Sequence, residues 1–295
     1  MHCEILVPGL FSGNVEGRFA ALEMLLARAR RQHRDARPLE QWLQEAFDLG
    51  DGPFAAGALT LLASGGDPGD SSWTRADPAH LRVMGAHVAT APADALSLSQ
   101  TEADTLCAAL SHHFAGQLEV QACEPQRWSA RLPGGMPPGD ALLNEAQLLL
   151  HAHPVNQARE ARGDLPVNSL RLWGGGRAPR SAHCRWQSVA ADDPAVRGAA
   201  RLAGARQRPL PGAAHDWLDR LPEDGRHLAL LDAHQSALAD LEQRWFAPLL
   251  GALRAGRIGM VTLHVPDGAE EVSFETIRGD LRRFWRRAKP IEHYA

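Results

Sequence analysis

Between residues 226 and 265 the chain reads "RHLALLDAH", then "QSALADLEQRWFAPLLGALRAG", then "RIGMVTLHV". Two short, nearly continuous apolar runs flank one longer helical stretch. Runs of that kind predict strands buried on both faces, and a helix between them predicts a crossover, so this unit commits the chain to a parallel-type sheet. Pro248 is expected to break the helix, because its ring removes a backbone donor and crowds the preceding turn. The N-terminus repeats the theme. "CEILVPGLF" predicts a buried strand running into a turn at Pro8 and Gly9. Residues 19–31 then place Phe19, Leu22, Leu25 and Leu26 on one helical stripe, and residues 39–47 do the same with Trp42, Leu43, Ala46 and Phe47. At 295 residues the chain can bury a sizeable core without staples. The two ends together predict an α/β sheet with helices on both faces.

The middle has a different rhythm. "SGGDPGDSSW", residues 64–73, reads as a domain edge or long loop. From Thr74 to Gly176 short strands, at 118–122, 127–132 and 169–173, alternate with two helical regions. Ser99 and Glu102 have capping-box spacing ahead of an apolar face of Ala103, Leu106, Cys107, Leu110 and Phe114. In "DALLNEAQLLLHAHPVNQAREARG" Pro154 predicts a restart as the first residue of a new short helix, closed by Gly163. The expected division is an α/β core of residues 1–65 and 177–295, with residues 66–176 as an inserted α+β domain. A final arginine-rich helix is expected around residues 277–287, a solvated face with Phe284 and Trp285 packed inward.

The net charge of -4 gives no electrostatic reason to expect nucleic acid or an anionic membrane as a partner. No apolar stretch approaches the ~20 residues of a membrane span, and the first residues lack a basic signal region, so the expected location is cytoplasmic. Cys3, Cys107, Cys123 and Cys184 are widely spaced without a CxxC pair, which fits a reducing compartment and buried small hydrophobes.

Few residues nominate chemistry. Gly174, Gly175 and Gly176 follow a predicted strand, but "GGGRAP" matches neither phosphate-binding glycine pattern, and a close backbone approach explains the glycines better. His112-His113, His151-x-His153 and Asp232-x-His234 lack the i, i+4 spacing of helical metal ligands. Ser12 and Ser64 sit in Gly-rich turns without a nucleophile-elbow pattern. The exception is "HPVNQAREARGDLPVNSLRLWGGG", residues 153–176. His153, Asn156 and Arg159 fall at i, i+3 and i+6, with Asn168 and Trp173 flanking the next strand. A guanidinium and amides so grouped can hold a phosphate or carboxylate; equally, they can tie turns to buried carbonyls.

This stretch resembles the H-P-V-N, R, G, P-x-N-S, W-G-x-G run of the archaeal-type cofactor-independent phosphoglycerate mutases, a branch of the alkaline phosphatase superfamily. "TRADPAHLR", "LSLSQTEADTL", "QRWSARL", "LLNEAQLLLHAHPVN" and "LRLWGGGRAP" further resemble a shorter bacterial family of RpfE-type regulatory proteins, with Arg171 standing where that family usually has tryptophan. The resemblance implies a truncated alkaline-phosphatase-like sheet with an inserted smaller domain. It also implies, for the mutases, two divalent metals held by Asp and His at strand ends and a phosphorylated serine. Two metals ~4 Å apart need several carboxylates. Here Pro8-Gly9 stands where the mutases have Asp-Gly, no acid precedes Glu16 after that strand, Asp232 and His234 lack the mutases' spacing to a Gly-His pair, and Leu263 precedes His264 where an Asp-His pair would stand.

The expectation is therefore a degenerate, non-enzymatic mutase relative without a cofactor or metal, acting in binding or regulation. Its expected ligand site comprises His153, Asn156, Arg159, Asn168, Trp173 and Gly174, with Asp77 and His80 from "ADPAH". The expected partner is a small phosphorylated or carboxylated metabolite, or a protein. One alternative is an active metal-dependent phosphomutase or phosphatase using Asp232 or His264. The other is a protein-interaction module using "RGDLRRFWRRAKP".

Overall fold

A computed structural model describes residues 1–12, 17–84, 87–91, 93–132, 140–222, 224–233, 237–267 and 270–294. In chain order the strands are β1 (His2–Leu6), β2 (Arg30–Asp35), β3 (Ser72–Ala79), β4 (Leu81–Met84), β5 (His87–Thr90), β6 (Glu119–Glu124), β7 (Arg127–Arg131), β8 (Ser169–Arg177), β9 (Ser188–Ala190), β10 (Arg206–Arg208), β11 (Arg226–Leu230), β12 (Met260–Asp267) and β13 (Glu270–Ile277). The α-helices are α1 (Ala20–Arg28), α2 (Leu39–Ala46), α3 (Ala56–Ala63), α4 (Gln100–His113), α5 (Asp140–Ala152), α6 (Pro154–Arg162), α7 (Pro194–Leu202), α8 (Ala214–Leu218), α9 (Leu238–Leu241) and α10 (Ala247–Ala255).

The chain forms two compact units, the first of residues 1–48, 183–193 and 203–295. Its mixed sheet has the order β10-β9-β11-β1-β12-β13-β2. β1 runs parallel to both β11 and β12, as the strand-helix-strand run predicts, while β13 and β2 add antiparallel. One face packs Cys3, Ile5, Val7, Leu263 and Phe274 against Leu22 and Leu26 of α1, Trp217 of α8, and Phe246, Leu249 and Leu253 around α10. The backbone donors that open α1 are met from a distance: Glu242 accepts from the amides of Ala21 (2.7 Å) and Leu22 (3.0 Å). Pro248 does not cut its helix. A π-helical turn at Glu242–Phe246 precedes α10, which places the proline in a first turn where no donor is missed.

Strands β2 and β13 are among those that escape the sequence reading. β2 is "RRQHRD", exposed along its whole length, so it has no apolar alternation to reveal it. β13 follows β12 directly, and the expected helix over residues 277–287 is instead the end of this strand and a 3-10 turn at Arg278–Arg282. Phe284 and Trp285, expected to pack inward, face outward, 79% and 66% exposed.

The second unit comprises residues 49–182 and 194–202. Its sheet β6-β7-β3-β8 is antiparallel throughout. Leu106 and Leu110 of α4, Ala146 and Leu150 of α5, Trp128 and Leu170 form its main core. The capping box of Ser99 and Glu102 opens α4; Pro154 opens α6, and Gly163 closes it in the left-handed conformation at φ 84°. The unit is larger than the 66–176 insertion because α3 and α7 group with it. Gly57 of α3 lies so close to β3 that an added Cβ would stand 2.4 Å from the Thr74 backbone carbon, and a Cβ on Gly198 of α7 would stand 1.9 Å from the Leu59 carbonyl oxygen. Residues 64–71 are thus a loop inside this unit that leads into β3, with the indole of Trp73 donating to the Pro68 carbonyl.

Candidate functional site

On β1 the side chains alternate: Cys3 and Ile5 join the apolar core, whereas His2 and Glu4 look to the other face. The same phase continues across the sheet. Thr262 and His264 on β12, Glu271 and Ser273 on β13, Gln32 and Arg34 on β2, and Arg226 on β11 all line one cavity of about 620 Å³ within the first unit. Trp42 of α2 and the segment carrying Arg185 and Trp186 complete its wall. A sheet face meant only to pack would be apolar; this one is polar on five strands.

Glu4 anchors the floor. Its side chain is fully buried, yet Arg226 donates to it at 2.8 and 2.9 Å, Arg185 donates to its other oxygen, and His264 Nε2 lies 3.0 Å away. Burial alone would push this carboxyl up. The His264 hydrogen bond and the charges of Arg185, His264 and Arg226 outweigh it and hold Glu4 down at about 2. His2 is brought down to about 4, first by burial and further by Arg226, Arg185 and His264, against the opposing pull of Glu4. It is neutral at pH 7, and its Nε2 hydrogen-bonds Thr262 Oγ1 at 2.8 Å.

The same sheet face repeats the device on β13. Glu271, 3% exposed, accepts from Arg37 Nε at 2.9 Å and from the Trp42 indole at 3.1 Å. Trp42 stacks on Trp186 with centroids 6.1 Å apart and leans on the His264 ring at 5.4 Å. The guanidinium of Arg185 covers Trp186 at 5.1 Å. Arg185 and Arg226 each turn one edge to Glu4 and remain about half exposed, at 48% and 44%. Arg34 has no ion pair among the described residues. The cavity therefore offers guanidinium forks to a carboxylate or phosphate, and Glu45, Asp48 and Glu275, which also line it, oppose a purely anionic filling.

The residues singled out from residues 153–176 lie elsewhere, in the second unit, and none lines this cavity. The structure does bring them together, with their polar groups turned inward. His153 caps α6, its Nδ1 accepting from Val155 N at 3.2 Å. Asn156 Nδ2 donates to the carbonyls of Leu150 and Val167, both at 2.7 Å, and its oxygen accepts from Val167 N at 2.9 Å. Arg159, fully buried, donates to the carbonyls of Leu165 (3.0 Å) and Leu96 and to Glu102 (3.1 Å). Asn168 bridges both backbone groups of Leu81, and His80 Nδ1 meets the Pro166 carbonyl at 2.9 Å. Asp77 takes Arg75 and the Trp173 indole, and Gly174 is required because a Cβ there would stand 2.5 Å from that of Ala56.

The metal centre implied by the mutase resemblance does not fit these residues. β1 leads into Val7, Pro8 and Gly9, and β11 into Leu231 and Asp232; His264 lies inside β12, paired in register with Leu6 and Ser273. Among the described residues no group of three or more His, Cys, Asp and Glu could hold a metal ion. Glu16 and His234 fall outside the described residues. Among the described residues these strand ends do not bring together the several carboxylates that two metals would need.

No family model matches the chain. It is 29% identical over 140 residues to a probable 2,3-bisphosphoglycerate-independent phosphoglycerate mutase of Geobacter sulfurreducens, a match spanning 38% of this chain and 35% of that protein. It is 27% identical over 177 residues to the corresponding mutase of Methanosarcina barkeri, spanning 49% of this chain and 44% of that one. The matches thus span less than half the length of these curated relatives. In fold, the chain is similar to the cofactor-independent phosphoglycerate mutase of Thermoplasma acidophilum, with a TM-score of 0.50 at 17% identity over 94% of this chain and 90% of that one. It is also similar to the PH0037 protein of Pyrococcus horikoshii, with a TM-score of 0.59 at 14% identity over 94% and 87%. The fold is a mixed α/β one of this mutase-like type, and no helix among the described residues is long and apolar enough to cross a membrane.

Proposed function

We propose that this phosphoglycerate-mutase-like chain binds a small phosphorylated or carboxylated metabolite in the polar cavity of its first unit, and that it acts by binding, in a cytoplasmic regulatory role of the RpfE type, rather than by phosphoryl transfer. The observation that carries the reading is the sheet face on which Glu4 is buried between Arg185, Arg226 and His264. Burying an ion costs several kcal/mol before pairing, and an apolar face of the same shape would be as stable or more so. This supports a face built to meet a ligand rather than only to pack. Glu4 fixes the two arginines in place, so that their remaining donors and those of Arg34 meet an anion already oriented. The donor set at the strand ends supports binding over transfer.

Calorimetric titration with 2- and 3-phosphoglycerate tests this. One site per chain is expected, weakened about tenfold or more in Arg34→Ala, since a hydrogen bond to a charged group is worth about 1.5–3 kcal/mol. No heat with any phosphorylated acid, or an unchanged affinity in the variant, would overturn it. The competing reading, metal-dependent turnover, rests on His264 facing the same cavity. It requires manganese-dependent hydrolysis or isomerisation that disappears in Asp232→Asn or His264→Ala.

A further inference from the structure

The lining of the first unit's cavity is more acidic than its arginines suggest. It holds four arginines and five carboxylates, an excess of one negative charge counting its histidines neutral. A purely anionic ligand adds to that excess. The charges are also divided by position. Arg185 and Arg226 converge on one carboxylate, Glu4, which leaves a positive excess beside β1. Arg37 serves two, Glu45 of α2 and Glu271 of β13, which leaves a negative excess toward the β2 edge of the sheet. Arg34 on β2 offsets that excess, and Glu275, on the neighbouring strand, restores it.

Glu275 differs from the other carboxylates of the lining. It is half-buried and shares the phase of Glu271 and Ser273. Its register neighbours are Thr262 on β12 and Arg30 on β2, yet its carboxylate makes no ion pair or hydrogen bond with either, nor with any other described residue. A carboxylate so placed gives up hydration without gaining a partner. Glu45, by contrast, is held by Arg37, and Asp48 is 74% exposed beside His183. In register, Thr262 alone separates Glu275 from Glu4. The positive and negative ends of the cavity floor therefore stand two strand spacings, about 10 Å, apart, a span that the side chains at its ends and a ligand of amino-acid size fill together.

We propose that the ligand is a zwitterion: a phosphorylated or carboxylated metabolite that also carries an ammonium group, its anionic end on the free edges of Arg185 and Arg226 and its ammonium on Glu275. The inference rests on the anion-binding reading of this cavity and narrows it. An ammonium supplies donors to the one unpartnered carboxylate and offsets the negative excess of the lining. A hydroxyl in its place leaves the charge of Glu275 uncompensated, so the site selects the amine over its hydroxyl analogue.

Two ligands with one skeleton test it: 3-phosphoglycerate, and O-phosphoserine, which has an ammonium where the former has a hydroxyl. In calorimetric titrations of the full chain at neutral pH, O-phosphoserine is expected to bind about tenfold tighter or more, as a hydrogen bond between charged groups implies. N-acetyl-O-phosphoserine, which has lost the ammonium, is expected to bind no better than 3-phosphoglycerate. Glu275→Gln keeps the shape of the side chain and is expected to abolish the preference by weakening O-phosphoserine alone, so that undiminished binding of 3-phosphoglycerate reports an intact cavity. The zwitterion is overturned, and the anion-binding reading kept, if 3-phosphoglycerate or the acetylated ligand binds as tightly as O-phosphoserine, or if the preference survives in Glu275→Gln. If none of these ligands binds the native chain, both readings fall.

Discussion

Replacing Glu4 by glutamine probes the charged sheet face with almost no change of shape. In the native protein Glu4 is held at about 2 against an ordinary value of 4.5, and that difference corresponds to about 3 kcal/mol in favour of the ionised, folded form. Arg185 and Arg226 are nearly half exposed, so water screens part of their attraction and about 2 kcal/mol is the expected share at neutral pH. Because the folded value is depressed, this contribution is present above pH 4.5 and drains away as the pH falls toward 2. Urea denaturation of native and Glu4→Gln protein at a series of pH values reads it directly. The variant is expected to be less stable by about 2–3 kcal/mol at pH 6, the amide also turning donors toward arginine, with the gap narrowing by more than 1 kcal/mol by pH 3. A gap that stays constant over this range would refute the assignment of Glu4 as an ionised anchor.

In the second unit, Arg159→Ala is expected to cost about 3 kcal/mol in denaturant unfolding, because it strands the carbonyls of Leu96 and Leu165 in the interior. If that variant unfolds like the native chain, Arg159 does not brace the unit. Gly198→Ala is expected to lose about 1–3 kcal/mol, since its Cβ would run into the Leu59 carbonyl where α3 and α7 meet; a melting temperature unchanged by the substitution would contradict that close approach.

The sequence displayed the parts of the fold that local chemistry decides. The capping box at Ser99, the proline start of α6, the glycine that ends it and the parallel β1, β11 and β12 all follow from short-range pattern. β2 was illegible because a strand exposed on both faces has nothing apolar to alternate, and its pairing partner β13 lies more than two hundred residues away. The cavity was hidden by a different effect. "HCEIL" reads as one apolar run although His2 and Glu4 share a phase, and the same period of two in "VTLHV" and "EEVSFET" places Thr262, His264, Glu271 and Ser273 beside them. That shared polar phase was the available signal. Residues 153–176 drew attention by density of polar residues, yet Asn156 and Arg159 satisfy backbone groups around α6 that no regular element would satisfy.

On the proposed function, the first unit's cavity holds a phosphorylated acid and leaves its phosphoryl group in place. Phosphorus NMR of 2-phosphoglycerate incubated with the protein and magnesium tests both halves at once. The resonance is expected to broaden or shift with protein concentration while no isomer and no free phosphate accumulates. A growing signal of 3-phosphoglycerate or inorganic phosphate, or a resonance indifferent to the protein, would contradict the account.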